Sequence, residues 1–306
     1  MRFSEEAFSV QYRSYFDLVE RALAEIAPAL TNPGDTDSEC VLGSSMRYSL
    51  LGGGKRIRPI LALAACELVG GDPCRIAVPA AGLECIHTYS LIHDDLPCMD
   101  DDDMRRDKPS NHKVFGETIA LLAGDALLTY AFEVLARPLD VPGERHLQVL
   151  RETAEAIGWR GMVQGQVLDT LGTGKGTVTA GLAGLERIHA LKTGRLIVAS
   201  ARLGALLGPA TEEELDQITR YAVQIGLAFQ IKDDLLDVVG ESSKLGKKSG
   251  SDARNQKTTY VSLLGVEEAH RHLRQTIGKA KEAVACLGDR AYFLCALADF
   301  IGGRDH

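Results

Sequence analysis

The chain is expected to fold as an all-α bundle, and three observations lead there. Apolar residues recur at helical spacing along almost the whole length, no stretch sustains the alternation of a half-buried strand, and glycine and proline fall in short clusters. Tyr15, Leu18, Val19, Ala22, Leu23 and Ile26 give the first apolar stripe. Breaks follow at Asn32-Pro33-Gly34-Asp35, Gly52-Gly53-Gly54, Gly70-Gly71-Asp72-Pro73, Pro142-Gly143, Gly172 to Gly176, Gly208-Pro209 and Gly240 to Gly250. About ten helices fit between them, and no sheet is needed.

With 306 residues, 45% of them apolar and 25% charged, the chain has ordinary globular composition and ample material for a core. No pattern repeats at a fixed period and no break is long or low in complexity, so residues 1–306 read as a single domain. A net charge of −8 with scattered Lys and Arg gives no footprint for nucleic acid. The opening Met1-Arg2-Phe3-Ser4-Glu5-Glu6 has no apolar signal core, and no run reaches the ~18 uninterrupted apolar residues of a membrane span. The expected location is cytoplasmic. Seven cysteines without a CxxC pair point to free thiols, with neither a disulfide framework nor a zinc site.

Two acidic clusters stand against this apolar background: Asp94-Asp95-Leu96-Pro97-Cys98-Met99-Asp100 and Asp233-Asp234-Leu235-Leu236-Asp237. Carboxylates desolvated side by side repel one another unless cations neutralise them, and hard oxygen ligands suit Mg²⁺. In the helix approaching the first cluster, His87, Ser90 and Asp94 fall at i, i+3 and i+7 and share one face. Asp94 and Asp100 lie about 240° apart on an ideal helix, too far to hold one ion, but Pro97 between them forces a bulge or kink that swings Asp100 back. Asp101, Asp102 and Asp103 read as a solvated turn. In the second cluster Gln230, Asp233 and Asp237 share a face while Leu235 and Leu236 pack elsewhere.

Basic residues supply the complement. Gly53-Gly54-Lys55-Arg56-Ile57-Arg58-Pro59 is a glycine turn feeding a helix start, with three basic heads to grip an anion. Arg105-Arg106 follows the first acidic cluster, and Lys192-Thr193 lies in Ile188-His-Ala-Leu-Lys-Thr-Gly194. The Lys244 to Lys257 segment is the most polar region and, by composition alone, a solvated loop. Gly172-Thr-Gly-Lys-Gly-Thr177 lacks phosphate-loop spacing and reads as a turn, and neither a GxSxG elbow nor an HExxH helix occurs.

Taken in order, Gly-Gly-Lys-Arg-Ile-Arg-Pro (53–59), His-Thr-Tyr-Ser-Leu-Ile-His-Asp-Asp-Leu-Pro-Cys-Met-Asp (87–100), Arg-Arg (105–106), Leu-Ala-Gly-Asp-Ala-Leu-Leu (122–128), Lys-Thr-Gly (192–194) and Gly-Leu-Ala-Phe-Gln-Ile-Lys-Asp-Asp-Leu-Leu-Asp (226–237) make the chain resemble the polyprenyl synthetases, or trans-prenyltransferases. Within that family it is most similar to the bacterial farnesyl diphosphate synthases. The resemblance implies an isoprenoid synthase-type helical bundle around a central cavity, a homodimer, and isopentenyl and allylic diphosphates as substrates. It implies that Asp94 and Asp100 bind two Mg²⁺ and Asp233 a third, with Asp237 and Asp169 in support. By the same resemblance Arg105, Lys192, Thr193, Gln230, Lys247 and Lys257 hold the allylic diphosphate, and Lys55, Arg58, His87 and Arg106 the isopentenyl diphosphate. Tyr89 and Ser90 match positions that limit chain length, and the 244–257 segment becomes a closing lid. The family commonly has Pro where Val261 stands, and Lys248 can replace Lys247. The implied product is farnesyl diphosphate. A geranylgeranyl diphosphate synthase is the nearest alternative, with an HD-type phosphohydrolase using His87, His93 and Asp94, or a non-catalytic partner subunit, more remote.

Overall fold

Tyr15, Val19, Ala22, Leu23 and Ile26 all turn inward from the first helix, α1 (Glu5–Ile26), so the stripe read from sequence is the buried face. The computed structural model describes residues 5–27, 37–172, 181–243 and 258–304. The expected break at 32–35, the turn at 173–177 and the Lys244 to Lys257 segment lie outside the described residues. After α1 come α2 (Asp37–Leu50), α3 (Ile57–Leu68) and α4 (Pro73–Asp94). Helix α3 is apolar nearly all round, and such a helix has to be enclosed. It lies against α1, α4 and α10 (Arg195–Leu207), with Ile60, Leu61, Ala62 and Leu63 fully buried.

The remaining helices wrap this centre. They are α5 (Asn111–Phe115), α6 (Glu117–Leu135), α7 (Gly143–Ile157), α8 (Met162–Gly172), α9 (Leu182–His189), α11 (Glu212–Ser243), α12 (Tyr260–Leu264), α13 (Val266–Val284) and α14 (Tyr292–Gly303). Helix α6 packs on α4, α7 on α10, and α13 on α11. A second, smaller core of Leu185, Ala228, Ile231, Leu235, Tyr260, Ala269 and Leu273 joins α9, α11, α12 and α13. Among the described residues one helix, α6, is long and apolar enough to cross a membrane. Here it lines the core against α4, α2 and α5, and Glu117, Asp125 and Glu133 stand on its exposed side.

The count of about ten helices is low, because fourteen are present among the described residues. Single glycines at positive φ, Gly116 (83°) and Gly265 (79°), divide continuous apolar patterns into α5 and α6, and into α12 and α13. Helix α11 runs through Gly240, where a break was expected. A small sheet also occurs: β1 (Met104–Arg105) pairs antiparallel with β2 (Lys108–Pro109). Its turn residues Arg106 and Asp107 both have positive φ, 53° and 61°, which matches the right-handed twist of a two-residue hairpin. Two-residue strands leave no periodicity to read.

One of the three basic heads expected to face an anion is used up in the core. Arg56, at φ 51° just before α3, is 2% exposed. It donates to Glu20 at 2.7 Å, to Glu84 at 3.0 Å and to the Leu50 carbonyl at 3.1 Å, tying α1, α2 and α4 together. Removing one partner of a buried pair leaves the other charge desolvated, so Arg56→Ala should cost about 3 kcal/mol of unfolding free energy in a urea titration.

Candidate active site

Helix α4 is capped by Asp72, whose side chain accepts from the Cys74 amide at 2.9 Å, with Pro73 in the first turn. The other end of α4 carries His87, Ser90 and Asp94. Pro97 does not kink α4, as expected, but ends it: Asp94 is the last helical residue and 95–100 form a turn. The Asp100 amide donates to the Asp94 carbonyl at 2.9 Å, which brings the two aspartates together by a tight reversal. Asp95, 2% exposed, accepts from Arg105 Nε at 3.0 and 3.3 Å and also from its Nη2, which reaches Asp102 at 3.2 Å as well. Planar guanidinium matches planar carboxylate in this fork, so Arg105 is committed to Asp95 in this structure.

The hairpin turn places Arg106 across the glycine loop, where its Nη1 donates to the Gly53 carbonyl. Gly54, at φ 126°, leaves room for that guanidinium; a Cβ there would stand 2.8 Å from Arg106 Cζ. Arg58 points into a different space. It is half-buried, its buried Nε has no hydrogen-bond partner, and desolvation lowers its pKa. His87 is half-buried, and desolvation together with Arg58, Arg106, Arg105 and Arg56 pushes its pKa well below the usual histidine value. Lys55 stands close enough to Arg304 and Asp233 for both to act on its ammonium group.

Between α9 and α10 the chain makes a π-helical turn, Ala190–Gly194, that holds Lys192 and Thr193. Wide turns of this kind recur at functional sites because they re-aim side chains without ending the helix. Lys192 Nζ bonds Asp169 Oδ2 on α8 at 2.7 Å. Gly165 allows α8 this close: a Cβ there would lie 2.3 Å from the Lys192 amide nitrogen. On α11, Gln230 Nε2 donates to Asp233 Oδ2 at 3.4 Å, while Asp233 Oδ1 accepts from Arg304 at 2.5 Å.

These side chains meet around one cavity of about 580 Å³. Arg58, His87, Tyr89, Ser90, Asp94, Lys192, Thr193, Gln230 and Asp233 all line it. The Tyr89 ring is 6% exposed and lies edge-on to His93, centroids 5.8 Å apart. His93 donates from Nε2 to the Leu121 carbonyl at 3.0 Å, which takes away one ligand that an HD-type hydrolase would need. Arg105 and Arg106 border a neighbouring cleft with Asp95 and Thr88. Lys247, Lys248 and Lys257 lie outside the described residues.

Sequence reading missed the apolar wall (Leu96, Met99, Met162, Val163, Val167 and Phe229), the role of Asp95 in holding Arg105, and Arg304. The wall could have been sought among apolar residues a turn from each acidic cluster. Arg304 carried no signal, because it meets Asp233 only through the fold. Asp101, Asp103 and His112 also place one ligand atom each within 4.8 Å of one another, although Asp103 is paired with Lys113 at 2.7 Å.

The donor set suits Mg²⁺. Asp94, Asp100, Asp233 and Gln230 offer oxygen ligands, and burial drives the Asp94 carboxyl up to about 6, the mark of a carboxylate short of compensating charge. Burial also raises Asp233, against the opposing pull of Arg304.

The polyprenyl synthetase profile matches residues 39–292, and the chain belongs to that family, whose members are Mg²⁺-dependent prenyltransferases acting on isopentenyl and allylic diphosphates. It is 48% identical over 264 residues to a geranylgeranyl diphosphate synthase of Cyanophora paradoxa, covering 86% of this chain and 87% of that protein. It is 44% identical over 309 residues to the heterodimeric geranylgeranyl pyrophosphate synthase large subunit 1, chloroplastic, of Arabidopsis thaliana, covering 98% and 81%. Among solved structures, an apo FPP/GFPP synthase from Zymomonas mobilis superposes with a TM-score of 0.84 at 35% identity, over 96% of this chain and 99% of that one.

The charge around His87 has a direct spectroscopic consequence. Desolvation and four arginines all disfavour the imidazolium form, so the ring should stay neutral as pH falls from 8 to 5.5. An NMR titration should show no His87 inflection near the ordinary histidine value of 6.5.

Proposed function

We propose that this chain is a single-domain (1–306) chain-elongating prenyl diphosphate synthase that condenses isopentenyl diphosphate with allylic diphosphates and makes geranylgeranyl diphosphate as its main product. The observation that carries the reaction class is the meeting of Asp94 and Asp233, from helices far apart in sequence, with Arg58 and Lys192 around one largely apolar cavity. The C20 product is preferred to the farnesyl expectation because it is supported by relatives named geranylgeranyl synthases at 43–49% identity.

Asp94, Asp100 and Asp233 hold the magnesium ions, three in the loaded site by family resemblance, with Asp237 and Asp169 in support. When bound, Mg²⁺ neutralises the charge that develops on the leaving diphosphate. Lys192, Thr193 and Gln230 reach the same space and donate to the departing oxygen, where fixed donors stabilise charge most as it forms. Lys247 and Lys257 are assigned there by resemblance. The allylic C–O bond breaks with its electron pair leaving on diphosphate, and the double bond of isopentenyl diphosphate attacks the cation. A proton then passes to the released diphosphate. Lys55, Arg58, Arg106 and neutral His87 are assigned to the second diphosphate by resemblance, and Arg105, held by Asp95 in the neighbouring cleft, is assigned to the first on the same ground. The apolar wall excludes water that would quench the cation.

A second reading, a C15 product, is supported by Tyr89. Its ring stands in the cavity wall beside Ser90, about 7.5 Å back along α4 from Asp94, where a growing tail must pass. A homodimer, implied by the family resemblance, stays part of the proposal. A cytoplasmic location stays part of the proposal, beside the plastid that a relative's name indicates.

Purified protein incubated with Mg²⁺, isopentenyl diphosphate and dimethylallyl, geranyl or farnesyl diphosphate should yield mainly C20; mostly C15 product would favour the Tyr89 reading, and in that event Tyr89→Ala should lengthen it. Asp94→Ala should lower kcat by at least ~10³, since losing a metal ligand removes about 4 kcal/mol of transition-state stabilisation. Near-normal turnover in a folded variant would displace the metal site, and no turnover in wild-type protein would leave a non-catalytic subunit.

A further inference from the structure

Arg304, the residue after α14, reaches back to α11 and binds Asp233 and the Phe229 carbonyl on that helix. Its Nη2 donates to Asp233 Oδ1 at 2.5 Å and to the Phe229 carbonyl at 3.0 Å, and its guanidinium carbon lies 3.9 Å from the Phe229 ring centroid. The Arg304 side chain is 6% exposed, whereas that of Asp233 is 44% exposed, so the arginine is the embedded partner and the carboxylate the accessible one. With Gln230 on Oδ2, both Asp233 oxygens already accept a donor.

An oxygen that receives a guanidinium hydrogen at this distance cannot give the same lone pair to a cation. The pair is also well supported, because the Phe229 face stabilises the guanidinium from beneath and low local dielectric strengthens the attraction. We propose that Arg304 is a positioning residue for the metal site, which holds Asp233 as a stand-in cation and has to be displaced before Asp233 can take a divalent ion. This rests on the reading of Asp233 as a metal ligand. Arg304 keeps the carboxylate oriented and neutralised while the site is empty, and it sets a threshold for metal entry. Apparent affinity is divided by the inverse of the fraction of time the carboxylate is released.

The test is Mn²⁺ binding to the full-length, substrate-free protein, read from the electron paramagnetic resonance signal of free Mn²⁺. Arg304→Gln should tighten Mn²⁺ binding about tenfold, corresponding to a carboxylate released about a tenth of the time in the wild type. Phe229→Leu keeps the positive charge but removes the supporting ring, and should tighten binding about threefold on the same grounds. In an Asp233→Asn background Arg304→Gln should change nothing. Wild-type or weaker binding in both single variants would overturn the proposal, as would an equal gain in the Asp233→Asn background, which would mark a simple field effect. If Asp233→Asn alone leaves Mn²⁺ binding unchanged, the metal assignment fails first, and that outcome is separate from the fate of Arg304. Cooperative thermal unfolding of each variant verifies that the comparison is between folded proteins.

Discussion

Asp94 and Asp233 lose part of their water when α4 and α11 pack around a common cavity, and the surrounding architecture replaces the lost solvation. Each carboxylate is met by basic groups brought from elsewhere in the chain: Lys192 acts on Asp94, and Arg304, Lys55 and Arg58 act on Asp233. The cations in turn are placed by local devices. A glycine loop carries Lys55 and leads Arg58 into α3, a two-residue hairpin turn carries Arg106, and a π-helical turn carries Lys192 and Thr193. Compensation is incomplete, since Asp94 keeps a raised pKa and Arg58 keeps an unpartnered Nε. An empty site that retains unmet demand of both signs is suited to a ligand that carries both cations and anions.

Each basic residue near the site divides its work between structure and ligand differently. Arg56 belongs entirely to the core, forked between Glu20 and Glu84. Arg105 is held by Asp95, so the second aspartate of the first cluster serves its neighbour rather than the cavity. Arg58, two residues from Arg56, lines the cavity because it lies in the first turn of α3, whereas Arg56 stands at the left-handed cap before it. Sequence proximity therefore says little about role in this region, and burial with its partners says much.

Much of the site was legible where the argument used helical phase. Gln230 and Asp233 share a face of α11, His87, Ser90 and Asp94 share a face of α4, and all five line the cavity. Phase arguments failed beyond the end of α4. Pro97 was expected to bend a helix, but a chain that lacks the amide for the next turn can stop instead, and the Asp100 amide closes the reversal onto Asp94. Arg304 and the apolar wall were illegible for another reason, because they meet the site only after α8, α11 and α14 have packed. The all-α class was legible throughout, whereas helix number was not, since Gly116 and Gly265 each divide an unbroken apolar pattern.

The π-helical turn at 190–194 fixes the phase between two helices as well as the aim of Lys192. An α-helix advances about 100° per residue, so one surplus residue accommodated in a wide turn offsets everything on one side of it by that amount. Helix α10, buried on most of its surface, is locked in the core, and α9 carries a single inward stripe of Leu185 and Ile188. Loss of one residue within the turn would restore regular winding and rotate that stripe away from Leu235 and Tyr260. This short stretch is thus intolerant of a change in length, even where every side chain around it could be exchanged for one of similar shape.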